Sequence, residues 1–367
     1  MSKSATPYHF IYFVSSHGFG HAARATAVID AVTRLMPGSR FTVFTNVASW
    51  FFESSFDTLV TLEPLDVDFG LVQTDALTED LPATLRELTG RIPFPKSILD
   101  DLAQRVDDLG PDVVICDIAP LGLAVARHCG VPSVLVENFT WDWIYRGYLK
   151  ACPELESIAD YLEKIFIEAT HHIQTEPVCS LSTRALHVSP VSRRPRHSRA
   201  EVRRRLGVPD DAALAVVSMG GVNWSYDTLT TGSDDHELWV VVFGSEAPVR
   251  RGRVIRLPHH SEFFHPDLIH AADVVVGKLG YSTLAEVWSA GARLGYLARP
   301  RFRESPTLEA WAQRELTCRR LEVSALETGE WLDTIEELLL EPRGRADRVG
   351  GANEVARFLA EVASLLP

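Results

Sequence analysis

Two histidines and one carboxylate carry the first chemistry that this chain suggests. His17 and His21 lie in the run Ser15-Ser16-His17-Gly18-Phe19-Gly20-His21, and Asp117 closes the apolar run Val113-Val114-Ile115-Cys116. A histidine whose second ring nitrogen is held by a carboxylate can accept a proton. The carboxylate fixes the tautomer and stabilises the cation that forms. The plainer alternative makes His21 and Asp117 helix caps, and spacing leaves both readings open. A second group is Gly277-Lys278-Leu279-Gly280-Tyr281-Ser282-Thr283, followed by Glu286. Glycines and hydroxyls at a helix start suit an oxyanion held by backbone amides, and Lys278 adds a point charge. Glu286, one turn further on, is placed to accept hydrogen bonds from vicinal hydroxyls such as those of a ribose. A loop with an ordinary N-cap would read the same way. Ser218-Met219-Gly220-Gly221 is either a diphosphate contact or a tight turn, and Glu304 of Arg303-Glu304-Ser305 either binds sugar hydroxyls or is an exposed charge.

The elements that must position these residues alternate. A strand over Phe10–Val14 leads through the glycine turn into a helix on which Ala25, Val28, Ile29, Val32 and Leu35 recur at helical spacing, up to Pro37-Gly38. Further strands are expected at Arg40–Thr45, Leu59–Leu62, Val113–Asp117 and Ser133–Val136. Helices are expected at Leu81–Thr89, Ile98–Leu109, Leu121–Cys129 and Glu154–Ala169. An irregular acidic piece covers Asp66–Asp75, and Phe139, Trp141, Trp143 and Tyr145 form an aromatic cluster. This rhythm implies a parallel sheet covered on both faces, with His21 and Asp117 at the same edge. The rhythm restarts in the second half, with strands at Ala213–Ser218, Glu237–Phe243, Val254–Leu257, Val274–Val276 and Gly295–Ala298. Helices follow at Asp267–Ala272, Leu284–Ala290 (closed by Gly291), Leu308–Glu315, Trp331–Leu340 and Asn353–Leu366. Residues 187–205 hold Pro190, Pro195 and seven arginines from Arg193 to Arg205. They read as the domain junction, and the arginines as a solvated face or a contact for an anionic partner. The expected architecture is therefore α/β, with an N-terminal domain over 1–190 and a C-terminal domain over 191–350. A helix over 351–367 is expected to pack back on the first domain. A ligand would lie between the halves, at the carboxyl ends of the strands.

Composition narrows the class. The 367 residues are 46% hydrophobic and 23% charged, which suits a globular protein with a real core. Acidic residues outnumber basic ones 49 to 36, for a net charge of −13, and a general nucleic-acid surface would be basic. The five cysteines (116, 129, 152, 179 and 318) form no CxxC pair. Neither a zinc site nor a disulfide framework is suggested, and a cytoplasmic setting is the expectation. The first ten residues lack the apolar core of a signal peptide, and no run is long enough to span a membrane. Neither a P-loop nor a GxGxxG turn after the first strand is present.

Taken together these motifs resemble the GT-B glycosyltransferases over nearly the whole chain. The resemblance implies two Rossmann-like domains with parallel sheets facing across a cleft. It places Gly18, Phe19, Gly20 and His21 on the acceptor side and makes His21 with Asp117 the base dyad of the plant-type members. The plant donor motif aligns without a gap to Lys278–Glu286. Gly280, Tyr281, Ser282 and Glu286 then match its glycine, its aromatic, its small polar residue and its ribose-binding glutamate; Thr283 adds a hydroxyl. Lys278 replaces the usual diphosphate-binding histidine, and Glu304-Ser305 replaces a donor-sugar Asp-Gln pair. Gly220 and Gly221 join the donor side. A closer similarity is to the glycosyltransferase-like N-terminal half of plant L-arabinokinases and its free-standing bacterial relatives, through SSHGFGHAAR, Asp68–Asp80, Glu137–Tyr145 and GKLGYSTLAE. It adds His17 to the catalytic candidates and Asp75, Asn138, Trp141 and Tyr145 to the acceptor-side ones; the aromatics read as a sugar platform or as core. No kinase phosphate loop follows, so kinase activity is not implied. The expected activity is inverting, metal-independent transfer of a sugar from a UDP- or dTDP-sugar to a small acceptor hydroxyl or amine, with no further cofactor. A nucleotide-sugar hydrolase or epimerase and a non-catalytic nucleotide-sugar-binding protein are the rivals. A homodimer stays open.

Overall fold

The computed structural model of the chain describes residues 7–55, 60–75, 77–220, 238–258, 260–346 and 348–365. The chain divides into two α/β units. Unit 1 takes residues 1–72, 79–191 and 350–367, and unit 2 takes residues 73–78 and 192–349.

Unit 1 is built on seven strands: β1 (His9–Val14), β2 (Arg40–Phe44), β3 (Val60–Glu63), β4 (Val113–Asp117), β5 (Ser133–Glu137), β6 (His171–Thr175) and β7 (Leu186–Val188). Their order is β3-β2-β1-β4-β5-β6-β7, and all pair in parallel. β1 and β4 are buried along their whole length, as strands covered on both faces must be. The chain runs outward from β1 to β3 and then crosses back to β4. The order therefore reverses between β1 and β4, where Val14 pairs with Asp117. Such a reversal leaves a crevice at the carboxyl ends of the strands, the general ligand position of open α/β sheets. Helix α1 (Phe19–Leu35) follows β1 and buries Ala22, Ala25, Val28, Ile29 and Val32 against Phe10, Tyr12 and Val14. The helix Ala352–Ser364 completes this layer with Val355, Ala356, Leu359 and Val362.

Unit 2 repeats the plan with β8 (Ala213–Ser218), β9 (Leu238–Phe243), β10 (Val249–Arg251), β11 (Val254–Leu257), β12 (Val274–Lys278), β13 (Arg293–Leu297) and β14 (Cys318–Leu321). The order is β10-β11-β9-β8-β12-β13-β14, with only β10 antiparallel to its neighbour. Here the reversal falls between β8 and β12, where Ser218 pairs with Gly277. A Cβ on Gly277 would lie 2.3 Å from the Ser218 carbonyl oxygen, so only glycine lets the two strand ends approach this closely.

Several elements differ from the sequence-based expectation. The aromatic cluster opens a helix, α2 (Trp141–Arg146). β6, β7, β10 and β14 were not foreseen; they are short, and their charged or histidine-rich sequences carry little apolar signal. The acidic piece is not wholly irregular, since Gln73–Asp75 forms a two-stranded ribbon with Thr78–Glu79. The arginine segment is solvated only in part: Arg194, Arg196 and Arg204 are exposed. It contains α3 (Arg199–Leu206), whose N-cap Ser198 accepts the Glu201 N–H, and Arg193 and Arg203 are buried. Among the described residues no helix is long and apolar enough to cross a membrane.

Candidate active site

In unit 1 the turn after β1 closes with the Gly18 N–H on the Ser16 carbonyl at 2.8 Å, and α1 begins at once. His21 then sits in the first turn of α1, 8% exposed, beside fully buried Asp117 at the end of β4. Its Nδ1 meets Asp117 Oδ1 at 2.7 Å. Arg24, one turn along the same helix, grips Asp117 with two parallel bonds, Nε to Oδ2 and Nη2 to Oδ1, both 2.6 Å. Burial alone would raise the Asp117 carboxyl, but Arg24 and then His21 outweigh it and hold it below the usual carboxylate range. Asp117 therefore stays an anion that accepts. His21 can only donate Nδ1–H to it, which in the neutral ring puts the lone pair on Nε2. The next residue, Ile118, has φ 44. A β-branched side chain rarely adopts that conformation, and the strain lies at the turn that aims Asp117.

A second buried carboxylate lies close by. Asp68 Oδ1 accepts from Ser15 Oγ at 2.9 Å, and Oδ2 accepts from the Trp141 indole N–H at 2.7 Å. Burial pushes its carboxyl up to about 6, against the pull of His21 and these two hydrogen bonds. The Trp141 ring stands edge-on to His17 at 5.3 Å and 6.4 Å from His21. Tyr145 stacks on Trp141 at 6.0 Å and donates its hydroxyl to the Gly70 carbonyl at 3.0 Å. Gly70 has φ 54, and a Cβ there would lie 2.5 Å from His17 Nδ1, so the close approach of His17 requires glycine.

In unit 2 the helix α5 (Tyr281–Ala290) starts after β12, with Gly280 as N-cap. Lys278 ends β12, and its Cε lies 3.4 Å from where a Gly220 Cβ would be. Burial and the nearby Arg299 guanidinium push the Lys278 amine down to about 7, opposed by Glu304. Glu304 is 8% exposed and 3.7 Å from Arg299, and among the described residues no hydrogen bond reaches its buried Oε2. Glu286, 4% exposed, lies on α5 and is engaged on both oxygens. Oε1 accepts from Arg193 Nε, with Nη2 also at 3.0 Å, and Oε2 meets His265 Nδ1 at 2.9 Å; His265 opens the short helix α4 (His265–Ala271). Burial would raise this carboxyl, but Arg193 and His265 hold it down at about 2.

The structure thus brings His17, His21, Asp117, Trp141 and Tyr145 together in unit 1; in unit 2 Gly220 donates to Ser218, Lys278 lies beside Gly220, and Gly280 caps the helix that follows. Tyr281, Ser282 and Thr283 form the half-buried first turn of α5. Burial and contacts narrow four of these readings. Trp141 and Tyr145 are 2% and 1% exposed and hold the 68–70 segment, so they are core rather than an open platform. Asn138 is buried with its oxygen on Arg24 and its amide on the Thr175 carbonyl and hydroxyl, so it supports Arg24. Glu286 is engaged by Arg193 and His265 rather than open to a ligand, and Glu304 is buried rather than an exposed charge. Phe19 packs on Trp50 and Phe51, and Gly20 follows it in the first turn of α1. Asp75 is exposed on the ribbon and accepts the Leu77 N–H at 2.7 Å. Gly221 lies outside the described residues. Sequence reasoning missed Arg24, Asp68, Arg193 and His265. For Arg24 a signal existed: a lone charge among alanines, three residues from His21 and so on the same helix face.

No protein-family model matches the chain. It is similar to the L-arabinokinase of Arabidopsis thaliana, 28% identical over an aligned span of 369 positions that covers 99% of this chain and 35% of that protein. It is also similar to an uncharacterized glycosyltransferase of Methanopyrus kandleri, 28% identical over 194 residues, 48% of this chain and 54% of that one. The chain thus spans about a third of the first relative's length and about half of the second's. Solved structures match it end to end. The spinosyn forosaminyltransferase SpnP matches with a TM-score of 0.61 and 14% identity, over 98% of this chain and 96% of that one. The glycosyltransferase VinC in complex with dTDP matches at 0.59 and 16%, over 98% and 96%. UGT89C1 of Arabidopsis thaliana complexed with UDP matches at 0.56 and 13%, over 98% and 91%. At these identities the likeness speaks for the fold. With two parallel-sheet α/β units, each reversing strand order beside its candidate residues, the chain has the GT-B fold of these glycosyltransferases.

Proposed function

We propose that the chain is a glycosyltransferase that moves a sugar from a UDP- or dTDP-sugar to a hydroxyl or amine of a small acceptor, with inversion. The observation that carries this is the 2.7 Å bond between His21 and Asp117, which leaves Nε2 as a base at the switch point of unit 1. Among the described residues no hydrogen bond reaches that nitrogen. Nε2 takes the acceptor proton as the acceptor oxygen or nitrogen bonds to the anomeric carbon. The bond from that carbon to the phosphate oxygen breaks, and its electron pair leaves with the nucleoside diphosphate. Asp117, kept ionised by Arg24, holds the ring and stabilises the imidazolium without itself taking the proton. The leaving diphosphate is met by Lys278 and by the amides at the start of α5. Glu304 Oε2 is suited to accept a sugar hydroxyl. The relatives support the reading in kind: SpnP is a forosaminyltransferase, and UGT89C1 and VinC are seen with UDP and dTDP.

A panel of UDP- and dTDP-sugars against mixed hydroxyl and amine acceptors, read by mass spectrometry, tests the proposal. His21→Ala should lose about 10²- to 10⁴-fold in turnover, the size of general-base assistance, while UDP affinity changes little. Full turnover in that variant would remove His21 as base. Equal release of free sugar with and without acceptor would replace transfer by hydrolysis.

A further inference from the structure

Glu286, His265 and Ser218 form a hydrogen-bonded chain that the foregoing mechanism does not use. His265 Nδ1 meets Glu286 Oε2 at 2.9 Å, and its Nε2 lies 3.3 Å from Ser218 Oγ. Ser218, 8% exposed, ends β8 and also accepts the Gly220 N–H at 3.4 Å. Lys278 stands beside Gly220, so the hydroxyl and the amine share one sheet edge. The order carboxylate, imidazole, hydroxyl is that of a serine nucleophile with its base. Arg193, 3.0 Å from Glu286 through both Nε and Nη2, changes its use. A carboxylate already paired with a guanidinium supports an imidazolium less than a free one would, but it still fixes the ring. With a proton on each nitrogen the ring also fixes the hydroxyl: Glu286 accepts from Nδ1–H, Nε2–H donates to Ser218 Oγ, and the hydroxyl proton is left for a ligand oxygen. The ring packs against Phe243 at 5.4 Å, which further limits its rotation.

We propose that His265 is a positioning residue, held by Glu286, that orients the Ser218 hydroxyl for a contact with the diphosphate of a nucleoside diphosphate. This rests on the reading of unit 2 as the donor-binding unit. Recognition of the leaving group then uses a point charge from Lys278 and a fixed hydroxyl from Ser218. Glu286 acts on the ligand through two intervening residues.

The test is a double-mutant cycle on the full chain, with the Kd for UDP and for dTDP measured by calorimetry. Ser218→Ala and His265→Ala should each weaken binding about tenfold, the scale of a lost hydrogen bond to a charged group. In the Ser218→Ala background, His265→Ala should cost less than about twofold more, because its effect passes through the missing hydroxyl. His265→Gln, which can place an amide atom near the Nε2 position, should recover most of the loss. Additive losses, or no recovery with glutamine, would overturn the positioning role while leaving the donor reading intact. Failure of the unaltered chain to bind either nucleotide at millimolar concentration would overturn the donor reading, and this inference with it.

Discussion

Lys278 is a cation only under some conditions, and that matters for a group meant to hold a diphosphate. With its amine pushed to about 7 by burial and Arg299, the residue is charged below that pH before any ligand arrives. Above it the amine is neutral, and a bound diphosphate, which favours the charged form, must draw a proton from solvent. UDP affinity should therefore be highest below pH 7 and fall as pH rises through it, by up to about tenfold per unit. In Lys278→Met the affinity should be weaker and the slope between pH 7 and 9 should flatten. Calorimetry across that range checks this, and an unchanged slope would assign the titration elsewhere. At this scale the sequence showed which residues had chemical capacity and little of what engages them. His21 and Asp117 were legible because a strand end and a helix start in a parallel sheet must share an edge. Arg24 on Asp117 and Arg193 on Glu286 were not, since 93 positions separate each pair and nothing local records the contact.

At the scale of elements, the two strand-order reversals account for why the candidate residues cluster, and the alternating pattern predicted both sheets. The pattern could not sort the arginines of α3. Arg203 is 1% exposed and inserts into carbonyls: Ala271 at 3.2 Å and Pro209 at 2.8 Å, as well as Ala212. It also meets Asp273 at 3.3 Å, which Arg199 and Arg343 share. Three guanidiniums on one carboxylate repel one another, and burial with that repulsion lowers Arg203 and Arg343. The carbonyl ends of α4 and its neighbours take up the excess charge. Arg204, next in sequence, is exposed and, among the described residues, pairs with Glu201 on its own helix. Arg203→Met should thus cost about 2–4 kcal/mol by stranding buried carbonyls and unbalancing Asp273. Arg204→Met should leave the urea midpoint where it was. Equal midpoint shifts in the two variants would mean that the buried network is not what distinguishes them.

At the scale of the whole molecule, each unit owns a core, and the chain returns to the first one at its end. The helix Ala352–Ser364 packs on α1, with fully buried Leu359 among the residues that cover Phe10, Tyr12 and Val14. The last segment of the sequence is therefore part of the first unit's stability, whereas the nucleotide reading concerns only the second. Chains with two cores need not unfold in one step, which makes the two contributions separable by calorimetry. Leu359→Ala should lower the transition of unit 1 by the usual cost of a buried cavity, about 2–4 kcal/mol, and leave that of unit 2 in place. UDP at 100 times its Kd should instead raise the transition of unit 2 by about 2.7 kcal/mol and leave unit 1 unmoved. If one perturbation shifted both transitions equally, the two cores would be a single folding unit.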